Sequence, residues 1–293
     1  MPLSADTIAT HPAFLPSLSL YGERLAAVYQ ENQRLGANFG SQRRWLISQA
    51  ALALYWGGDE GLTVNGLIDV LKPFKVASPN TIRDYVDESL AYGFLRPDPA
   101  RASLRPRYFE PTPPVYAAIG QWIAANLSML DALDAKGRVA AFAARPEMIP
   151  LMQPRLAFGC LRDAAWREPP PRVALLQKSI SGGLVMDNII VMVGRQRPQE
   201  GRYMIPALNA REMAKRILIS RTHLQRILRK VVDVGAIGWS GRAFESAMWV
   251  DAAFIGEYCR WQAVKSHHLD AAFAFAIRGQ ADGSLPSFSD HFW

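Results

Sequence analysis

A run of side chains suited to nucleic acid, Arg221, Thr222, His223, Gln225, Arg226, Arg229 and Lys230, is interleaved with Leu224, Ile227, Leu228, Val231 and Val232. The apolar members recur at i, i+3, i+4, i+7 and i+8, which on a helix forms one buried stripe. Guanidinium, amide, hydroxyl and ammonium groups are left on the opposite side. Arginine can grip guanine through paired hydrogen bonds and glutamine can grip adenine, while further cations neutralise phosphates. Arg221, Thr222, Gln225 and Arg226 therefore suit base edges. Arg229 and Lys230 suit phosphates, as do Arg211, Lys215 and Arg242 nearby. His223, in the first turn, fits either a base or phosphate contact or a plain surface position.

The elements that must hold these groups are spelled out around them. Asn209 followed by Glu212 is a capping box and predicts a helix with Met213, Ala214 and Ile217 inward, and Ser220 caps the helix that carries the stripe. Gly235 ends that second helix, and Ala236–Trp239 and Ala247–Val250 read as short strands joined through Gly241 and Arg242. Two helices, a tight turn and a hairpin make a helix-turn-helix with a wing. The phrases Arg211-Glu-Met-Ala-Lys-Arg216 and Ser220-Arg-Thr222 resemble the DNA-reading core of bacterial transcriptional regulators of the winged helix-turn-helix type. Leu218 stands where such turns often carry glycine. The resemblance implies a second helix that enters the major groove of double-stranded DNA.

An earlier stretch repeats the logic with different residues. Pro73 stops a helix carrying Leu62, Leu67, Ile68 and Leu71, Ser78-Pro79 starts another with Ile82, Tyr85, Val86, Ser89 and Leu90 inward, and Gly93 ends it. Phe94–Arg96 and Arg105–Glu110 then form a hairpin. Ser220 lies 142 positions beyond Ser78 (220 − 78), and Gly235 and Gly93, Leu224 and Ile82, Leu228 and Val86, Ile237 and Leu95, and Gly182 and Gly40 keep the same interval. Two tandem units are expected. In the first, Asn80, Thr81 and Arg83 are candidates for bases, and Arg101, Arg105 and Arg107, with Arg96, place cations on the hairpin. Asp84, Asp87 and Glu88 on the same helix repel phosphates. The second unit is thus expected to give specificity, and the first to reach the backbone or minor groove with its hairpin or to contact protein.

Each hairpin leads into a long helix, Val115–Leu133 and Ala252–Ile277. Helices flanking a winged helix resemble the MarR-type regulators, whose subunits pair through their terminal helices. That resemblance implies a fused pseudo-dimer, working alone or as a homodimer, with a small-molecule effector of unspecified identity between its halves. The expected fold is mainly α with small β wings. It comprises an N-terminal arm (1–20), a first winged-helix domain (21–136), a proline-rich connector packed on the core (137–171), a second winged-helix domain (172–278) and a tail (279–293).

Composition narrows the alternatives. A formal net charge of +7 over 293 residues suits a polyanionic partner. The two cysteines, Cys160 and Cys259, lack metal or disulfide spacing, and His267 and His268 are neighbours whose side chains diverge on a helix. No G-x-G-x-x-G, G-x-x-x-x-G-K or H-E-x-x-H signature occurs, so neither a metal, a cofactor nor catalysis is expected. The N-terminus lacks the pattern of a secretory leader and the longest apolar runs are too short to span a bilayer, which fits a cytoplasmic protein. The expected function is sequence-specific transcriptional regulation, as a repressor. Two rivals stay open: a plasmid-type replication initiator, which also joins two winged helices, and a winged-helix interaction scaffold that no longer binds DNA.

Overall fold

The chain starts in helices, where its prolines predicted an arm. Ser4 accepts a hydrogen bond from the Thr7 N–H at 3.1 Å and caps α1 (Ala5–Thr10). Helix α2 (Phe14–Glu31) follows at once, with Pro16 in its first turn, where a backbone N–H has no helical partner to lose. The computed structural model describes residues 1–31, 34, 40–57, 60–206 and 208–281, and over these the protein is mainly helical with two small antiparallel sheets. Gly36, Gly58 and residues 282–293 of the expected tail, with Phe288, Phe292 and Trp293, lie outside the described residues.

The remaining elements run α3 (Gln42–Trp56), α4 (Val64–Leu71), α5 (Pro79–Ala91), β1 (Leu95–Pro97), β2 (Phe109–Pro111), α6 (Pro113–Asp134), α7 (Arg138–Ala143), α8 (Ile149–Arg162), α9 (Ala164–Arg167), α10 (Pro171–Gln177), α11 (Gly182–Val193), β3 (Arg202–Ile205), α12 (Ala210–Arg216), α13 (Arg221–Val232), β4 (Ile237–Trp239), β5 (Met248–Asp251) and α14 (Ala252–Ala281). Helix α3 is apolar on nearly every side and accordingly buried, from Trp45 and Leu46 to Ala53.

The 142-residue interval reappears as matching backbone geometry. Ser78 accepts from the Thr81 N–H at 3.2 Å and Ser220 from the His223 N–H at 3.1 Å. Gly93 and Gly235 both take left-handed conformations, at φ +68° and +66°. The next residues, Phe94 and Ala236, donate back to Ser89 O and Val231 O at 2.8 and 2.9 Å. These paired bonds close both helices in the same way. Leu95 pairs with Pro111 as Ile237 pairs with Val250. A third chain segment adds to each hairpin in equivalent register: Leu62 bridges to Phe109, and Ile205 pairs with Met248.

The stretch 137–171, expected as a connector laid on the core, is itself core. Helix α8 lies between α3 and α14, with Met152, Leu156, Cys160 and Leu161 buried. Its prolines misled because Pro150 sits in the first turn, and interior Pro154, lacking only one hydrogen bond, packs against Gly57. Elsewhere α2 packs on α6 and α11, α1 packs on α14, and the long helices α6 and α14 meet. Arg138, 2% exposed, sits among Asp131, Asp134 and Asp270 and so ties α7 to α6 and α14. Asp270 also accepts from the Leu3 N–H at 2.7 Å, which fastens the N-terminus to the last helix.

Candidate nucleic-acid interface

Helix α13 has three sides with different surroundings. Leu224, Ile227, Leu228 and Val231 are buried and hold it to its unit. Arg221, Thr222, Arg226 and Arg229 are exposed, with Gln225 half-buried beside them. Among the described residues none of these arginines forms an ion pair. The third side meets the loop between α10 and α11. There His223 Nε2 lies 3.2 Å from the Ile180 carbonyl, and Lys230 Nζ donates to Ser179 Oγ at 3.0 Å. Of the expected DNA contacts, His223 and Lys230 are therefore already hydrogen-bonded within the protein, a neighbourhood that sequence spacing could not reveal.

Helix α12 is capped by Asn209, whose side chain accepts from the Arg211 and Glu212 N–H groups. Arg211 and Lys215 are exposed along it. The turn to α13 passes through Leu218, at φ +57°, in the left-handed region usual for glycine. Arg242, at the tip of the β4–β5 hairpin, is exposed and pairs with Glu245 at 3.2 Å. A cation the sequence reading passed over, Arg202 on β3, stacks over Trp249 at 4.3 Å. The Trp249 ring in turn lies on Gly238, where a side chain would collide with it.

The first unit presents a different surface. Asn80 and Arg83 are exposed and bond each other at 3.3 Å, while Thr81 is half-buried beside its cap. Arg226, Arg229 and Lys230 correspond, at the common interval, to Asp84, Asp87 and Glu88. Glu88 is taken up by a two-pronged pair with Arg44 at 2.8 and 3.0 Å, whereas Asp84 and Asp87 are exposed. The hairpin cations divide further. Arg96 pairs with Glu110 at 2.6 Å, Arg101 lies over Tyr108 and near Asp98, and Arg105 donates to the Leu104 carbonyl. Arg107, exposed, lies 5.3 Å from the Phe109 ring centre.

Between the units lies a cleft of about 930 Å³, bounded by α2, the end of α5, α11 and the turn after α12, with Glu23, Tyr92, Asp187, Asn188, Arg216 and Leu218 on its walls. Loss of water pushes the Asp187 carboxyl up to about 6, against the pull of the Tyr258 hydroxyl, which donates to it at 3.0 Å, and of Lys265. Lys265, outside this cleft and in a separate small cavity that Asp187 also borders, is buried beneath the rings of Tyr21, Trp122 and Trp166, at 5.0, 5.4 and 5.9 Å. Burial lowers its ammonium to about 8, although Asp187 acts in the opposite sense.

His267 and His268 turn to separate partners, the Leu3 carbonyl and Asp163. Among the described residues no helix is long and apolar enough to cross a membrane. No protein-family model, no characterised protein and no solved structure matches the chain.

Proposed function

We propose that the chain is a cytoplasmic, non-enzymatic transcriptional regulator that binds double-stranded DNA through two unequal winged helices, centred within residues 21–136 and 172–278. One observation carries this reading: Arg221, Arg226 and Arg229 stand exposed on the side of α13 opposite its buried stripe and, among the described residues, pair with no carboxylate. Such a helix offers hydrogen-bond donors and positive charge to a groove. Arg226 reads guanine and Gln225 adenine, while Arg229, Arg211, Lys215 and Arg242 hold phosphates.

The first unit works differently. Asp84 and Asp87 keep α5 out of the groove, so its contribution comes from Arg105 and Arg107 on the hairpin. The inter-unit cleft receives a small effector that alters the spacing of the two units, and binding to a promoter blocks transcription. The experiment is selection of duplexes from a random pool with the full chain. An enriched sequence that is lost when Arg226 and Arg229 are both replaced by alanine supports the reading. Equal, salt-insensitive retention of every sequence refutes it.

A further inference from the structure

His223 makes two directional contacts, and together they require a single protonation form. Arg226 Nη2 lies 2.9 Å from His223 Nδ1. A guanidinium only donates, so Nδ1 is the acceptor and carries no proton. The proton then resides on Nε2, which donates to the Ile180 carbonyl at 3.2 Å. The neutral ring is thus a bridge from the α10–α11 loop to the arginine at the centre of the exposed α13 surface.

The loop end of the bridge is firmly placed. Ser179 donates its N–H to Leu176 O and its hydroxyl to Leu175 O, both at 2.8 Å. Ser181 takes a left-handed conformation at φ +62°, and Gly182 packs directly on the Leu176 backbone. Lys230, two turns along α13, grips the same loop through Ser179 Oγ. The Ile180 carbonyl is therefore a fixed point, and through His223 it limits where the Arg226 guanidinium can swing. An exposed arginine otherwise samples many rotamers, and one held beforehand loses less freedom on docking and meets one base geometry better than others.

We propose that His223 is a positioning residue: its Nδ1 presets Arg226 for one base pair, so that sequence discrimination at that pair depends on a side chain that need not touch DNA. This rests on the DNA-reading role of α13. It assigns His223 to orientation instead of direct contact, and makes the loop at Ile180 part of the reading apparatus.

The test uses the full chain, a selected duplex and its variants at each base pair, competed at fixed salt. In H223N the amide oxygen replaces Nδ1 as acceptor, and in H223L no acceptor remains. H223L is expected to lose about five- to tenfold discrimination at a single base pair, the same one whose preference R226A abolishes, while H223N keeps most of it. H223L in the R226A background should change nothing further. His223 is half-buried and outside the apolar stripe of α13, and thermal melts of both variants check that the fold is kept. The proposal is overturned if H223L discriminates like the parent, if H223N falls as far as H223L, or if H223L weakens binding equally at every base pair. A parent chain with no sequence preference at all refutes the DNA reading itself, a result distinct from any of these.

Discussion

Gly182 lies so close to the backbone carbonyl of Leu176 that any Cβ there would overlap it. The turn between α10 and α11 is closed by this contact, and the Gly183 N–H then donates to the Gly40 carbonyl at 3.1 Å across the seam between the units. Gly182→Ala should lower stability by about 1–3 kcal/mol through overpacking. Gly120→Ala on α6, whose Cβ would come into ordinary contact with Ile149 Cδ1 at 3.5 Å, should instead raise it by roughly 0.5–1 kcal/mol. Urea midpoints at constant slope check both, and equal effects would contradict the packing argument.

Leu218 is 54% exposed and left-handed, so it bears backbone strain with little burial in return. Leu218→Gly relieves about 1–2 kcal/mol of that strain and loses about 0.5–1 kcal/mol to the freedom of glycine when unfolded. A net gain of roughly 0.5–1 kcal/mol is expected, read as a higher melting temperature.

Arg138 neutralises three carboxylates from α6 and α14. Arg138→Met leaves Asp131, Asp134 and Asp270 facing one another and should cost about 3–5 kcal/mol at neutral pH. The Arg138 guanidinium holds the Asp134 carboxyl well below the usual carboxylate range. That contribution is complete above the ordinary range near pH 4 and is lost as pH falls below it. The destabilisation of Arg138→Met relative to the parent should therefore shrink in acid, which melts at pH 7 and at about pH 3 can compare.

Lys265 predicts a dependence of the same sign in an alkaline window. Its native ammonium titrates near 8, below the value of about 10.4 in an unfolded chain, so between those limits the unfolded state holds a proton that the native state has released. Stability should rise with pH across that window. Lys265→Met should flatten the rise, and a parallel slope in the variant would show that other groups cause it.

Phosphate contacts have their own signature. Arg229→Ala should weaken duplex binding evenly across sequences and reduce the slope of log affinity against log salt by about 0.9, whereas Arg226→Ala should also change which sequences are preferred. Affinity measured at several salt concentrations on selected and scrambled duplexes separates the two.

The helices around Ser78 and Ser220 were legible because their signals are local: a cap, an apolar stripe and a left-handed glycine fall within a few turns of one another. The repeat interval could be read for the same reason. Residues 137–171 were harder, since a proline in a first turn and a proline that breaks a helix are the same letter, and α8 owes its helix to burial against α3 and α14. Strand β3 has only four residues and exists by pairing with β5, far along the chain. On α13, sequence spacing identified the exposed arginines. The contacts of His223 and Lys230 with Ile180 and Ser179 span more than forty positions, and no periodicity reports them.

The opposite charges at equivalent positions of α5 and α13 leave the molecule without a true symmetry axis. A paired regulator made of identical subunits looks the same from either end of its target. This chain has a front and a back, so any linear polymer it grips is held with a defined polarity, and whatever lies upstream of the contact differs from what lies downstream.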